Sequence, residues 1–486
     1  MNFTKPLFSV ALPEIVMLTM AALILLFDVC ADKRYRNYTY GFVQLTLLAA
    51  FWFTSMQYRV FAEPVITFNG HYILDKLAVL TKLFVLAISM FAFMYARDYI
   101  KDRDIARGEY YIMGLFAVLG MMVMASGYTL LTIYLGLELL SIPLYTMVAM
   151  QKDSRAASEA AMKYFVMGAM ASGLLLYGIS LIYGVTGTVE ISKIAHLLTQ
   201  ATFMQNNMAL LGLIFILVGL VFKLGAVPLH MWVPDVYQGA PTSVTLFIAS
   251  APKIATLCIT FRILVEALPN LMIQWNHMLI VVAVLSMVSG NVLAIAQTNI
   301  KRMLAYSSIA HIGYMLLGVI AGPYAPQGYS AAMFYVSTYV LVAAGAFGII
   351  AILSKGGVEF DQLEDFQGLN ARNPWLAFMM LLLMFSMAGV PPTVGFFAKL
   401  GLLEALVRAH YVWLAALALL FAIIGAYYYL RIIKLMYFEE PKAQFSGTHI
   451  RIRLGLLTAV SVNGIAALLL GILPSGLIDM CRVSLG

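Results

Sequence analysis

Apolar runs of about twenty residues recur from one end of this chain to the other, and that pattern leaves few folds open. In hydrocarbon every backbone N–H and C=O needs a partner within the protein, so a spanning segment is an α-helix or a strand of a closed barrel. Barrel strands read as roughly ten-residue alternating segments. These runs are longer and uniformly apolar. With 62% hydrophobic and 11% charged residues, the chain is predicted to be all-α, a polytopic membrane protein forming a single transmembrane domain over residues 1–486. The first run, about Leu7 to Phe27, follows Lys5 as a signal peptide would. It is long enough to span and lacks a small-x-small cleavage site, so it reads as the first helix.

Fourteen helices are expected, near 7–29, 40–57, 74–96, 110–126, 129–150, 158–184, 207–233, 241–266, 275–297, 302–322, 329–354, 374–409, 411–437 and 455–474. A net charge of +7 in a soluble protein would suggest nucleic acid, but here the placement of the basic residues sets topology. One set of alternate loops carries Lys33, Arg34, Arg36, Arg97, Lys101, Arg103, Arg107, Lys152, Arg155, Lys301, Arg302, Lys355, Arg372, Arg431, Lys434, Lys442, Arg451 and Arg453. The other carries Lys5, Arg59, Lys76, Lys193, Arg262, Arg408 and Arg482. Eighteen against seven predicts that both termini lie outside the cytoplasm. Cys30, Cys258 and Cys481 have no paired spacing for zinc, iron–sulfur or a disulfide framework and read as small apolar core residues. No dinucleotide or P-loop fingerprint is present, so a redox cofactor or nucleotide is expected to belong to another subunit.

Two apolar segments are punctured in the middle. LVFKLGAVPLHMWVPD (220–235) and MFSMAGVPPTVGFFAKLGLLEAL (384–406) each place glycine and proline where a helix should continue. Proline removes a helical hydrogen bond and clashes with the preceding turn, so two discontinuous helices are predicted. Pro228 and Pro391 lie about 160 residues apart, close to the length of five helices. The expected organisation is three N-terminal helices (1–109), a five-helix repeat (110–266), a second repeat (275–438) inverted because five is odd, and a last helix (455–474). Inverted repeats with broken helices carry the ion sites of transporters.

Charge inside these helices then becomes informative, because a lysine near a bilayer centre costs about 2.5–3.5 kcal/mol on insertion scales. Glu138 lies within a span, and Lys223 precedes Pro228 by five residues on the first broken helix. A Glu138–Lys223 pair is predicted. Separating it would drive Lys223 to release a proton. Lys253, beside Pro252 in the middle of the eighth helix, and Lys399, eight residues after Pro391, are the next stations of a proton relay, bridged by water and by Ser250, Thr256, Tyr306, Ser307, Ser308 and His311. His230 and His311 read first as hydrogen-bonded core residues and second as accessory relay groups. Lys82 and Lys163 read first as snorkelling side chains near helix ends, with Lys163 alternatively modulating Lys223. Glu404 is placed near the outer face, where it would mark an exit.

The stretches KLGAVPLHMWVPDVYQGAPTSVTLFIASAPKIA (223–255), NIKRMLAYSSIAHIGYMLLG (299–318) and GVPPTVGFFAKL (389–400) resemble the antiporter-like, proton-pumping membrane subunits of respiratory complex I. The similarity covers helices 2–14. Fourteen helices without a long lateral helix point away from the L-type members, and lysine at Lys399 points to the N-type. The resemblance implies that Glu138, Lys223, Lys253 and Lys399 belong to one proton channel in a bacterial inner membrane. It also implies a translocase subunit of an NADH:quinone oxidoreductase, driven by quinone chemistry elsewhere, with NADH, flavin, iron–sulfur clusters and quinone held by other subunits. Partners would be another antiporter-like subunit, small membrane subunits and the lipid bilayer, with no nucleic acid. A secondary cation/proton antiporter subunit is the alternative, and a scaffold without a working channel a third reading.

Overall fold

The computed structural model describes residues 6–30, 37–61, 63–103, 105, 108–199, 207–354, 359–442 and 452–485. Lys5, Lys33, Arg34, Arg36, Arg107, Lys355 and Arg451, on which the topology reading draws, lie outside these residues. In chain order the long helices are α1 (Leu12–Cys30), α2 (Asn37–Val60), α3 (Lys76–Asp102), α4 (Gly108–Ser126), α5 (Leu130–Val148), α6 (Arg155–Thr186) and α7 (Asn207–Leu224). After a break come α8 (Trp232–Gly239), α9 (Thr242–Ala249) and α10 (Ala251–Thr260), then α11 (Met272–Ile295), α12 (Ile300–Ala321) and α13 (Gln327–Leu353). The chain closes with α14 (Pro374–Ala388), α15 (Val394–Arg408), α16 (Val412–Phe438), α17 (Leu454–Ile472) and α18 (Ser475–Leu485).

Twelve helices are long and apolar enough to cross a membrane among the described residues. The two further passages expected from the sequence fall short for identifiable reasons. Helix α2 is long enough, but Gln44, Thr46, Thr54, Ser55 and Gln57 dilute its apolar character. The 374–409 segment is divided into α14 and α15 by Gly389–Thr393.

Three expected boundaries are corrected. The seventh run stops at Leu224 rather than continuing to 233. The eighth run is not one helix, because Ser250 leaves helical geometry between α9 and α10 and a π-helical turn follows at Phe261–Ala267. Lys253 therefore sits near the start of a short helix and not in the middle of a long one. Beyond 474, where no helix was expected, α18 begins at Ser475. Between α2 and α3 the chain also forms a two-stranded antiparallel hairpin, β1 (Val65–Thr67) and β2 (Tyr72–Leu74). Cys30 is exposed, whereas Cys258 and Cys481 are buried as predicted.

The segment Thr242–Ala267 and helices α12 and α13 form an almost fully buried centre, while α1, α6, α11, α16 and α17 bury less than half of their apolar stretch. Water drives none of this packing within a bilayer, so close backbone approach matters more. Helices α4 and α5 meet at Gly120 and Gly136, where a Cβ would lie 2.5 Å from Leu140 N and 2.8 Å from Met124 N, respectively. Helices α11 and α12 meet in the same manner at Gly290 and Gly313.

Candidate functional site

Both broken helices end in the same way. At the end of α7, Gly225 takes a φ of +78°, with its N–H on the carbonyls of Val221 and Phe222, and the Ala226 N–H returns to Val221. At the end of α14, Gly389 takes a φ of +85°, with its N–H on Phe385 and Ser386, and the Val390 N–H returns to Phe385. Glycine fits because the left-handed region penalises a Cβ. This capping leaves the last carbonyls of each helix free to point elsewhere.

Lysines occupy those carbonyls. Lys253, on α10, donates from Nζ to the Leu224 carbonyl at 3.4 Å. Lys399, on α15, donates to the carbonyls of Met387 and Ala388 at 3.0 and 2.8 Å. The C-terminal end of a helix carries partial negative charge, so each ammonium is stabilised by backbone dipoles rather than by a carboxylate. Among the described residues neither has a carboxylate partner; their hydrogen bonds are to backbone carbonyls. The Lys399 ammonium also stands 5.5 Å from the Tyr314 ring centroid, within cation–π range.

Lys223, the penultimate residue of α7, turns the other way and donates to Ser141 Oγ on α5 at 2.7 Å. Glu138 lies one turn earlier on α5 and accepts a hydrogen bond from Ser172 of α6. The two charges of the predicted Glu138–Lys223 pair act on one another without direct contact, each having a serine hydroxyl as its hydrogen-bond partner. Lys223, Ser141 and Ser172 line one cavity of about 10 Å³. That is about the room one water needs.

His311 is buried between two hydroxyls, with Nδ1 2.6 Å from Tyr335 Oη and Nε2 3.0 Å from Tyr429 Oη. Tyr429 continues the network to Ser307 and to Tyr428, which reaches Asn291 Oδ1 at 3.1 Å. His311 and Lys399 share two small cavities, of about 20 and 10 Å³. Both ring nitrogens of His311 are engaged, as its core reading predicted, but the partners form a hydroxyl network that ends beside Lys399. His230 lies in the break after α7 and is half-buried, its Nδ1 making no hydrogen bond. Among the described residues the Ser250 and Thr256 hydroxyls bond backward along their own chain, to Leu246 and Phe247 and to Pro252.

The remaining candidates do not join this set. Lys163 is exposed and pairs with Glu159 at 2.9 Å and Asp235 at 2.8 Å, and Asp235 also holds Arg302. Glu404 is exposed and pairs with Arg408 at 2.5 Å. The snorkelling reading of Lys82 is corrected. Its side chain is 0% exposed and contacts Glu14 of α1 at 2.5 Å. The hairpin fold carries Tyr72 to the same point. Sequence reasoning also missed Glu359, which receives Tyr99 and Thr242 hydroxyls and the Arg103 guanidinium beside the buried Lys301. Burial pushes this carboxyl up, but the Lys301 charge, the Tyr99 hydroxyl and Arg103 outweigh it and hold Glu359 below the ordinary glutamate value.

Residues 127–425 match the family described as NADH:quinone oxidoreductase/Mrp antiporter, transmembrane. NADH-quinone oxidoreductase subunit N of Thioalkalivibrio sulfidiphilus is 52% identical over 99% of this chain and 98% of its own. The subunit N of Coxiella burnetii is 52% identical over 99% of both chains. A chain of respiratory complex I from Thermus thermophilus superposes with a TM-score of 0.81 at 30% identity, covering 97% of this chain and all of that one.

Proposed function

Because the chain belongs to the subunit N family of NADH-quinone oxidoreductases, proton-translocating membrane subunits of complex I, we propose that Glu138, Lys223, Lys253 and Lys399 carry its protons. The observation that carries this reading is the placement of Lys253 and Lys399 on the freed carbonyl ends of the two broken helices. A lysine held by dipoles alone gains charge stabilisation that changes when the helix end moves by a fraction of its hydrogen-bond length. Movement at the break then changes the readiness of the ammonium to give up its proton. Glu138 acts across the Ser141–Ser172 gap, its charge favouring the protonated form of Lys223. The hydroxyl network around His311 supplies donors and acceptors beside Lys399. The five-helix repeats at 110–266 and 275–438, which accord with the matched glycine caps, place one break in each.

In this reading the electrons move in other subunits, which hold NADH, flavin, iron–sulfur clusters and quinone. Another antiporter-like subunit and small membrane subunits flank this one in the bacterial inner membrane. Purification through a tag on this chain is expected to bring down flavin and iron–sulfur centres with NADH:quinone activity. Recovery with antiporter subunits and no redox centre would overturn the assignment in favour of a secondary antiporter.

We also infer that both termini face away from the cytoplasm, which the basic asymmetry of the loops supports. Reporter fusions after Arg36, Arg107 and Lys442 should be cytoplasmic, and a fusion at Gly486 external. A cytoplasmic C-terminus would require an odd number of passages and sink this orientation.

A further inference from the structure

Among the buried charged groups that the relay does not use, Lys82 and Glu14 have the geometry of a site rather than a staple. Lys82 Nζ lies 2.5 Å from Glu14 Oε1 and 2.9 Å from Tyr72 Oη, and Tyr72 Oη lies 3.0 Å from the same Glu14 oxygen. The three groups close a triangle on Oε1. Glu14 Oε2, also buried, has no hydrogen-bond partner among the described residues. A buried ion pair kept for stability alone gains from satisfying both carboxylate oxygens, since a buried acceptor left unpaired is costly.

Two more buried hydroxyls lie close by. Ser126 Oγ, at the end of α4, faces Tyr72, and Thr81 Oγ, the neighbour of Lys82 on α3, faces Cys258 of α10. Helix α10 packs on both α3 and α4, and it is the helix that carries Lys253. Polar side chains therefore lie on either side of Lys82, Ser126 toward Tyr72 and Thr81 toward α10. Charged groups at this end include Arg59, Glu63 and Lys76, and Arg262, which pairs with Asp75 and Glu266 at 2.6 and 2.7 Å.

We propose that Glu14, Tyr72 and Lys82 form a further proton-holding site in the three N-terminal helices, outside both repeats, at the end of the molecule that carries the β-hairpin. An incoming proton binds Glu14 Oε2, forming an O–H bond. It leaves that oxygen to water at the hairpin end, restoring the carboxylate. Lys82 keeps its three hydrogens throughout, and with Tyr72 fixes Oε1 so that Oε2 alone exchanges. This inference rests on the proton-translocating reading and adds a release station to it.

The test uses inverted membrane vesicles containing the whole complex, with proton uptake measured per NADH oxidised and assembly checked on native gels. Glu14→Gln combined with Lys82→Met removes both charges and leaves neither buried alone, so a purely structural pair should tolerate it. A proton-holding site should not, and pumping per NADH is expected to fall by about tenfold or more. A wild-type ratio in the assembled double variant would overturn the proposal. If the double variant does not assemble, Glu14→Asp serves instead: retracting the carboxylate should shift the dependence of pumping on the pH of the release side, and an unchanged profile would count against the site. Glu138→Gln in the same vesicles separates the two readings. Loss there with normal pumping in the double variant sinks only the triangle, whereas normal pumping in Glu138→Gln sinks the relay itself.

Discussion

Glu138→Gln is expected to lower proton pumping and quinone reduction together, by roughly tenfold or more, while the complex still assembles. Glutamine keeps the shape that accepts the Ser172 hydroxyl, so helices α5 and α6 retain their contact. What disappears is the negative charge near Lys223, and the Ser141 hydroxyl, an uncharged acceptor, cannot replace it. Glu138→Asp should keep partial activity, because the charge remains one methylene further back. NADH-driven proton uptake and quinone reduction, measured on the same vesicles, check both variants. Normal pumping by the assembled glutamine variant would remove Glu138 from the mechanism.

Lys399 separates two roles that a single substitution cannot. Lys399→Ala deletes the amine and leaves the Met387 and Ala388 carbonyls without their donor, at a cost of about 1–3 kcal/mol. Lys399→Arg restores a cation that does not deprotonate in proteins. A terminal relay must load and unload against the membrane field, worth about 2.3 kcal/mol per charge per 100 mV. Both variants should therefore pump poorly. Rescue by arginine alone would make Lys399 a fixed counter-charge for the helix end, and full activity in both would leave it with no part in translocation. The cavities beside it, about 20 and 10 Å³, are tight for a guanidinium, so assembly has to be verified before the arginine result is read.

Sequence patterning carried the helical architecture and the two interruptions because both depend on local chemistry: apolar run length, and glycine with proline inside a run. Lys223, Lys253 and Lys399 were legible for the same reason, as charges where charge is expensive. Their partners were not. Lys253 and Lys399 bind backbone carbonyls, and a sequence names side chains while every residue has a carbonyl. The Gly225 and Gly389 caps were the available signal, since a helix that ends inside an apolar run must expose acceptors there. Lys82 was misread because its partner Glu14 lies on a different helix, and only the docking of α1 and the hairpin brings the two together. Periodicity likewise says nothing of the bend at Ser250; the available signal was Pro252, which cannot donate to the preceding turn and opens the next helix. Glu359 sits outside every apolar run, so its burial depends wholly on how the connecting segment folds back on α3 and α9.

The bond from Lys399 to the end of α14 joins two pieces of what would otherwise be one rod. With the ammonium charged, the pieces are clasped by charge-assisted hydrogen bonds, about twice as strong as neutral ones. Once the proton leaves, the same atoms hold with the weaker neutral bonds and the joint slackens. Occupancy by a single proton is thereby written into the stiffness of a helix, and any neighbour that leans on α15 feels the difference as a change in mechanical resistance.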